Sequence, residues 1–176
     1  MKRRDLLIMG GLAVAGLLVP AVIRTPVGLV WNASASAPIG LYAVRPMRLP
    51  VRGVLAVITP PAPLARFAAE RHYLPLGVPL IKPVAATAGH TICRADRTII
   101  IDHRAVGRAL ARDGHGRPLP VWQGCRTLGP DEVFVMNPTV GDSFDGRYFG
   151  ALPTSAVLGR ARPLWTEPSL HPSPRS

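Results

Sequence analysis

The chain has 176 residues, enough for one compact domain with short extensions. Its formal net charge is +11, carried almost entirely by arginine, and such a surface attracts polyanions without selecting nucleic acid or lipid. Aromatic residues make up only 6% of the chain and no basic run is interleaved with them, so nucleic-acid binding is not expected. The 20 prolines and 17 glycines favour short strands and turns over long helices.

An apolar block at residues 6–23 follows a positively charged tip at residues 1–5. At about 1.5 Å per residue the block spans roughly 27 Å, close to the thickness of a bilayer core. Positive residues before the block predict a single-pass inner-membrane anchor with a cytoplasmic N-terminus and a periplasmic body. The alternative is a cleaved leader with Ala33-Ser34-Ala35 as its cleavage site, although these residues lie farther from the apolar block than such sites usually do.

Taken in chain order, the residues predict a mainly β fold. A linker at 24–35 leads into the body, and 64–72 is the best helix candidate. Apolar runs with β-branched or aromatic residues predict short strands at 40–44, 51–59, 80–86, 97–102, 131–136, 148–152 and 157–164. We therefore expect a small coiled-sheet or β-barrel domain over 24–165 with a loop-rich insertion at about 94–128. Residues 166–176 are predicted to be a disordered tail.

The two cysteines, Cys93 and Cys125, are candidates for one disulfide if the body is exported. Neither has a CxxC partner, and His90 beside Cys93 supplies too few ligands for a structural site. We therefore expect no metal and no cofactor.

Two segments place a hydroxyl and an amine in unusual settings. Ser36 stands two residues before Pro38, on a turn that can expose its hydroxyl and its N–H, although such turns are often purely structural. Lys82 has four apolar neighbours on each side. Burial there would lower the pKa of the amine and let it accept a proton near neutral pH. The alternative is a side chain that reaches water from a strand edge.

A third segment, Gly141–Gly150, brings Ser143, Asp145 and Arg147 together between glycines. One interpretation is a hydrogen-bonded turn with a local Asp–Arg pair. The other is that Ser143 orients the Lys82 amine while Asp145 and Arg147 fix the loop.

In this order the three segments resemble the Ser/Lys signal-peptidase family, with the nearest likeness to its conjugative-transfer branch, the TraF peptidases that mature pilin. The resemblance is carried by S-x-P-x-G-L-Y at 36–42, by the apolar strand around Lys82, and by S-x-D-x-R-Y-F-G at 143–150. Gly146 departs from the pattern, since a serine is common there.

The resemblance implies a role for each matching residue. Ser36 matches the nucleophile, Lys82 the general base, and Ser34 a hydroxyl donor of the oxyanion hole. Ser143 matches the hydrogen-bond partner of the lysine, and Asp145 an aspartate thought to be needed for activity.

The resemblance also implies a function. The chain is expected to be a membrane-anchored serine endopeptidase that processes exported preproteins, in particular conjugative prepilin, by acyl transfer that ends in hydrolysis or cyclisation. A general leader peptidase and a non-catalytic exported component of a conjugation or secretion apparatus are the alternatives. The sequence does not predict an oligomeric state.

Overall fold

A computed structural model describes residues 28–167 of the chain. The predicted anchor at 6–23, its tip at 1–5 and the tail from residue 168 lie outside the described residues. Within 28–167, no helix is long and apolar enough to cross a bilayer.

Short strands dominate the described residues, as the sequence predicts. In chain order the elements are β1 (Gly28–Asn32), β2 (Gly40–Arg45), β3 (Leu55–Ile58), α1 (Ala62–Glu70), β4 (Leu80–Ala86), β5 (Thr91–Ala95), β6 (Thr98–Ile101), β7 (Arg104–Arg108), β8 (Gly124–Thr127), β9 (Glu132–Val135), α2 (Gly146–Phe149), β10 (Leu152–Pro153), a 3-10 helix (Thr154–Ala156) and β11 (Val157–Thr166). The mainly β class is confirmed.

The strands form two sheets. The larger has seven strands in the order β1-β2-β11-β3-β4-β9-β10, with antiparallel neighbours throughout. It ends at β1 and β10, so the sheet is open and does not close into a barrel. The smaller sheet has the order β7-β6-β5-β8 and is inserted between β4 and β9.

Four predicted segments are corrected. The linker at 24–35 contains β1, because its apolar residues pair with β2. The strand predicted at 148–152 is wrong: these residues are the end of α2 and the start of β10, since Asp145 caps a short helix there. The insertion is less loop-rich than expected, because β5 to β8 form a sheet in it. Thr166, which was assigned to the predicted tail, is instead the last residue of β11.

The core lies on both faces of β3 and β4. Ala56 and Ile58 pack with Leu80 and Val84 in one cluster, while Val57 on the opposite face packs in a second cluster. Side chains alternate between the faces of a strand, so Lys82 lies on the same face as Leu80 and Val84. The Lys82 side chain therefore leaves β4 on the side of this apolar cluster.

Cys93 on β5 lies directly opposite Cys125 on β8, and the two form a disulfide bond. The predicted pairing is confirmed. All four residues of β8 are exposed, so burial contributes little to holding this edge strand. The disulfide therefore contributes much of what holds β8 against β5.

We predict that replacing Cys93 and Cys125 by alanine lowers the free energy of unfolding. The bond joins residues 32 positions apart, and closing a loop of that size in the unfolded chain is worth about 3–4 kcal/mol. Urea unfolding of the double variant measures the loss, and reduction of the unaltered protein should reproduce it. Equal stability of the oxidised and reduced forms would contradict the prediction.

Candidate active site

Ser36 lies in the turn between β1 and β2. The Asn32 side chain organises this turn: its Nδ2 donates to the carbonyls of Ser34 (2.9 Å), Ala37 (3.0 Å) and Pro38 (3.0 Å), while its Oδ1 accepts from the Ser34 N–H at 3.2 Å. The Tyr42 hydroxyl donates to the same Pro38 carbonyl at 2.7 Å. Several carbonyls of the turn are therefore held by side chains.

Gly40 ends the turn in a conformation that suits glycine. Its φ is +154°, and a Cβ at this position would lie 2.2 Å from the Trp165 carbonyl oxygen. The glycine of the first motif is thus needed so that β11 can approach β2 closely.

The hydroxyls of Ser34 and Ser36 are hydrogen-bonded to each other, with 3.0 Å between their Oγ atoms. The Ser34 hydroxyl also donates to Asn32 Oδ1 at 3.1 Å. A serine hydroxyl carries one proton, so Ser36 is the donor in the bond between the two serines. In this arrangement the Ser34 hydroxyl accepts a hydrogen bond from the Ser36 hydroxyl and donates its own hydrogen to Asn32.

The Lys82 side chain is 2% exposed, and its amine donates to Ser143 Oγ at 2.7 Å. Burial lowers the pKa of Lys82 from its ordinary value of 10.5 to about 8; Asp145 opposes this shift, Arg147 adds to it and Asp142 opposes it. Removing water disfavours the charged form more than the nearby carboxylates favour it. A substantial fraction of the amine is therefore neutral near pH 8.

Asp145 and Arg147 form a fully buried ion pair behind Ser143. Asp145 Oδ1 accepts from Arg147 Nε at 2.9 Å, and Asp145 Oδ2 accepts from a terminal guanidinium nitrogen at 2.8 Å. Arg147 also donates to the carbonyls of Asn137, Val140 and Gly141 at 3.0, 2.7 and 2.9 Å. The guanidinium thus fixes the loop between β9 and α2.

Asn137 connects this loop to the serine turn. Its backbone N–H donates to Asp145 Oδ2 at 3.0 Å, and its side-chain Nδ2 donates to the Ser36 carbonyl at 2.7 Å. Sequence reasoning missed both Asn137 and Asn32. The Asn137-Pro138 dipeptide is a turn signal, but nothing in the sequence indicates its long-range contact.

A cavity of about 360 Å³ lies where these segments meet. The predicted site residues Ser34, Ser36, Lys82 and Ser143 line it. Most of the remaining wall comes from apolar or aromatic side chains of several elements: Tyr73 and Leu74 after α1, Leu80 on β4, Leu110 and Leu119 in the insertion, Val140 and Phe144 in the loop before α2, and Tyr148 in α2. The fold thus brings the hydroxyl pair and the buried amine into one cleft.

The other two predicted site residues, Asp145 and Arg147, do not line the cavity and act from behind it. Among the described residues, Ser36 and Lys82 share no direct hydrogen bond: Ser36 Oγ bonds Ser34 and the amine bonds Ser143.

Gly146, where a serine is common in the resembling family, is tightly packed here. A Cβ at Gly146 would lie 2.6 Å from the Val135 carbonyl oxygen and 2.7 Å from the Phe134 ring. The absence of a side chain at Gly146 therefore allows α2 to pack closely against β9, where a serine would clash.

We predict that Lys82 makes stability depend on pH in a way that Lys82→Met removes. The pKa of Lys82 is about 8 in the folded protein, below its ordinary 10.5, so the unfolded chain binds more protons between these values. Relative to Lys82→Met, the free energy of unfolding of the unaltered protein should rise by up to about 1.4 kcal/mol per pH unit across that window and be lowest below pH 8. Chemical unfolding at several pH values measures it; a constant difference would indicate a solvated amine.

Comparisons with known proteins identify the family to which the chain belongs. A family model described as signal peptidase, peptidase S26, matches residues 3–165. "Conjugal transfer protein TraF" of Agrobacterium fabrum (strain C58) is 34% identical over 168 residues, covering 88% of this chain and 93% of the relative. "Plasmid transfer protein TraF" of Escherichia coli is 31% identical over 173 residues, covering 92% and 89%.

Among solved structures, a signal peptidase I from Enterococcus faecalis V583 is similar over 65% of this chain and 97% of its own, with 18% identity and a TM-score of 0.38. The family resemblance inferred from the three motifs is confirmed by the family model and by the TraF relatives. The chain therefore belongs to the signal peptidase family, peptidase S26, and is a TraF-type member of it.

Proposed function

We propose that the protein is a membrane-anchored serine endopeptidase of conjugal transfer, which processes exported preproteins, in particular prepilin, with Ser36 as nucleophile and Lys82 as general base. The observation that carries the proposal is a buried amine, with its pKa lowered to about 8, in the same cavity as a serine hydroxyl. An amine of this kind can remove a proton near neutral pH, which an exposed lysine cannot.

The first step of the proposed reaction is acylation. The Ser36 hydroxyl turns from Ser34 towards Lys82, the neutral amine takes its proton, and Oγ attacks the scissile carbonyl carbon. The bond of Ser143 to the amine limits its rotation during the transfer. Lys82, now charged, then gives the proton to the leaving amine as the peptide bond breaks, and the acyl group stays on Ser36.

The oxyanion is stabilised by the Ser36 N–H and the Ser34 hydroxyl. Ser34 donates to Asn32 in the free protein, so its hydroxyl rotates towards the substrate when negative charge develops there. Each such donor is typically worth about 3–4 kcal/mol of transition-state stabilisation.

Deacylation completes the cycle. Water or an amine of the substrate itself attacks the acyl carbonyl while Lys82 takes a proton from it, and Lys82 then gives that proton to Ser36 Oγ as the ester bond breaks. Attack by water gives hydrolysis, and attack by the substrate amine gives a cyclic product. Both outcomes leave Ser36 and Lys82 in their starting protonation states.

A location at the inner-membrane surface is supported by an apolar patch at the edge of the larger sheet. Trp31 on β1 and Trp165 on β11 stack with 5.9 Å between ring centroids, and both side chains are 54% exposed. Leu29 and Leu164 are also exposed. Tryptophan and aliphatic side chains favour the membrane–water interface, and the patch begins where the chain emerges from the predicted anchor at 6–23.

We predict that Ser36→Ala and Lys82→Ala each reduce prepilin cleavage by at least about a thousandfold, because each removes one half of the acylation chemistry. Co-expression with a prepilin, followed by the shift in size of the pilin, measures processing. Arg48→Ala, a change at an exposed residue, is the matched control and should process normally. Full processing by the Ser36 variant, together with loss in the Arg48 variant, would favour a non-catalytic role of the basic surface.

We predict that kcat/KM rises about tenfold per pH unit below pH 8 and levels off above it, since the neutral amine is the reactive form and the pKa of Lys82 is about 8. Asp142 attracts the charged amine, so Asp142→Asn should move the midpoint to lower pH, and salt should reduce the difference. Asp131→Asn, an exposed acid that does not line the cavity, is the control. An unchanged midpoint in the Asp142 variant at low salt would contradict the assignment.

A further inference from the structure

One side-chain hydrogen bond joins the serine turn to the loop that carries Ser143. Among the described residues, the bond from Asn137 Nδ2 to the Ser36 carbonyl, 2.7 Å long, is the one hydrogen bond between the turn at 33–38 and that loop. Apart from the Ser34–Ser36 bond within the turn, its other side-chain bonds come from Asn32 and Tyr42 of its own hairpin. The buried Ala37 also packs in a cluster with Ile81 of β4.

The orientation of the Asn137 amide is fixed by its surroundings. Its Oδ1 accepts from the Thr139 N–H at 3.0 Å and from the Thr139 hydroxyl at 2.7 Å. Only an amide oxygen can accept the backbone N–H, so the NH₂ group must point at Ser36. The backbone of Asn137 is in turn held by Asp145 and Arg147.

We propose that Asn137 is a positioning residue for the nucleophile, holding the Ser36 carbonyl so that the Ser36 hydroxyl and N–H keep their places in the cavity relative to Lys82. The bond restrains ψ of Ser36 and hence the Cα from which both groups project. The inference rests on the proposed function, because it assigns a role in acylation of Ser36.

The loop held by the buried ion pair contacts both Lys82 and Ser36. The loop held by Arg147 presents Ser143 to the amine on one side and Asn137 to the serine turn on the other. The relative position of Ser36 and Lys82 therefore depends on this loop, in addition to the packing of Ala37 with Ile81, since Ser36 lies in a turn and Lys82 on β4. Reacting groups must be held to within about 0.5 Å, and a displacement of about 1 Å can cost roughly a hundredfold in rate.

The test compares acylation rates of the full chain in detergent. The probe is a peptide thioester that ends in alanine; its carbonyl is attacked by Ser36 and its thiolate leaves with the proton. Mass spectrometry of the intact protein and of its peptides gives the rate and the site of acylation. Rates are expressed per folded molecule, from circular dichroism of each variant.

Three variants separate positioning from general stability. Asn137→Ala removes the contact, and Asn137→Asp keeps the shape and the oxygen for Thr139 but replaces the donor that faces the Ser36 carbonyl. Gln123→Ala is the control, because it removes an exposed amide that donates to the Asp96 carbonyl and does not line the cavity. We expect both Asn137 variants to acylate about 10–100-fold more slowly, with KM changed less than threefold and Gln123→Ala within about threefold of the unaltered rate.

The pH profile separates positioning of Ser36 from a general disturbance of the site, because a general disturbance would also shift the midpoint of the acylation rate. In Asn137→Ala the midpoint of the acylation rate should stay near that of the unaltered protein, since the Lys82–Ser143 bond is not altered. Unaltered acylation rates in both Asn137 variants, or an equal loss in Gln123→Ala, would overturn the inference. Failure of the unaltered protein to acylate at Ser36 would instead overturn the proposed function.

Discussion

The buried ion pair of Asp145 and Arg147 is the interaction on which the site depends. Two charges taken from water are costly unless their hydrogen-bonding capacity is met, and here it is met almost entirely by the loop between β9 and α2. That loop can adopt few other paths without leaving a carbonyl or a charge unpaired. Because Ser143 and Asn137 both belong to it, the ion pair fixes the surroundings of the Lys82 amine and of Ser36 together.

The same pair also acts on the pKa of Lys82. Burial is the largest effect and lowers this pKa, while the attraction of Asp145 opposes burial. Arg147 lies against Asp145 and repels the ammonium, which lowers the pKa further. The pair that fixes the loop therefore also acts on the charge of the amine, with its two members working in opposite directions.

Local patterns in the sequence were sufficient for the parts of the fold that depend on local chemistry. The strand at 80–86 was predicted with its observed bounds, because an apolar run between turns reports burial directly. The strand prediction for 148–152 was wrong. The aromatic content of this segment favours a strand, but Asp145 caps a helix that begins at Gly146. Asn137 could not be found, because its contact with Ser36 spans 101 residues of sequence and a polar residue before a proline is usually only a turn.

The insertion lines part of the cavity but carries neither Ser36 nor Lys82. It contributes Leu110, Asp113, Gly114, His115 and Leu119 to the wall. Its attachment is nonetheless direct: the buried Arg94 on β5 donates to the carbonyl of Arg147 at 2.7 Å. The disulfide joins β8 to β5 at the residue next to Arg94. Under the proposed function, changes in this part of the wall would alter which peptide fits, while the turn with Ser36 and the strand with Lys82 stay as they are.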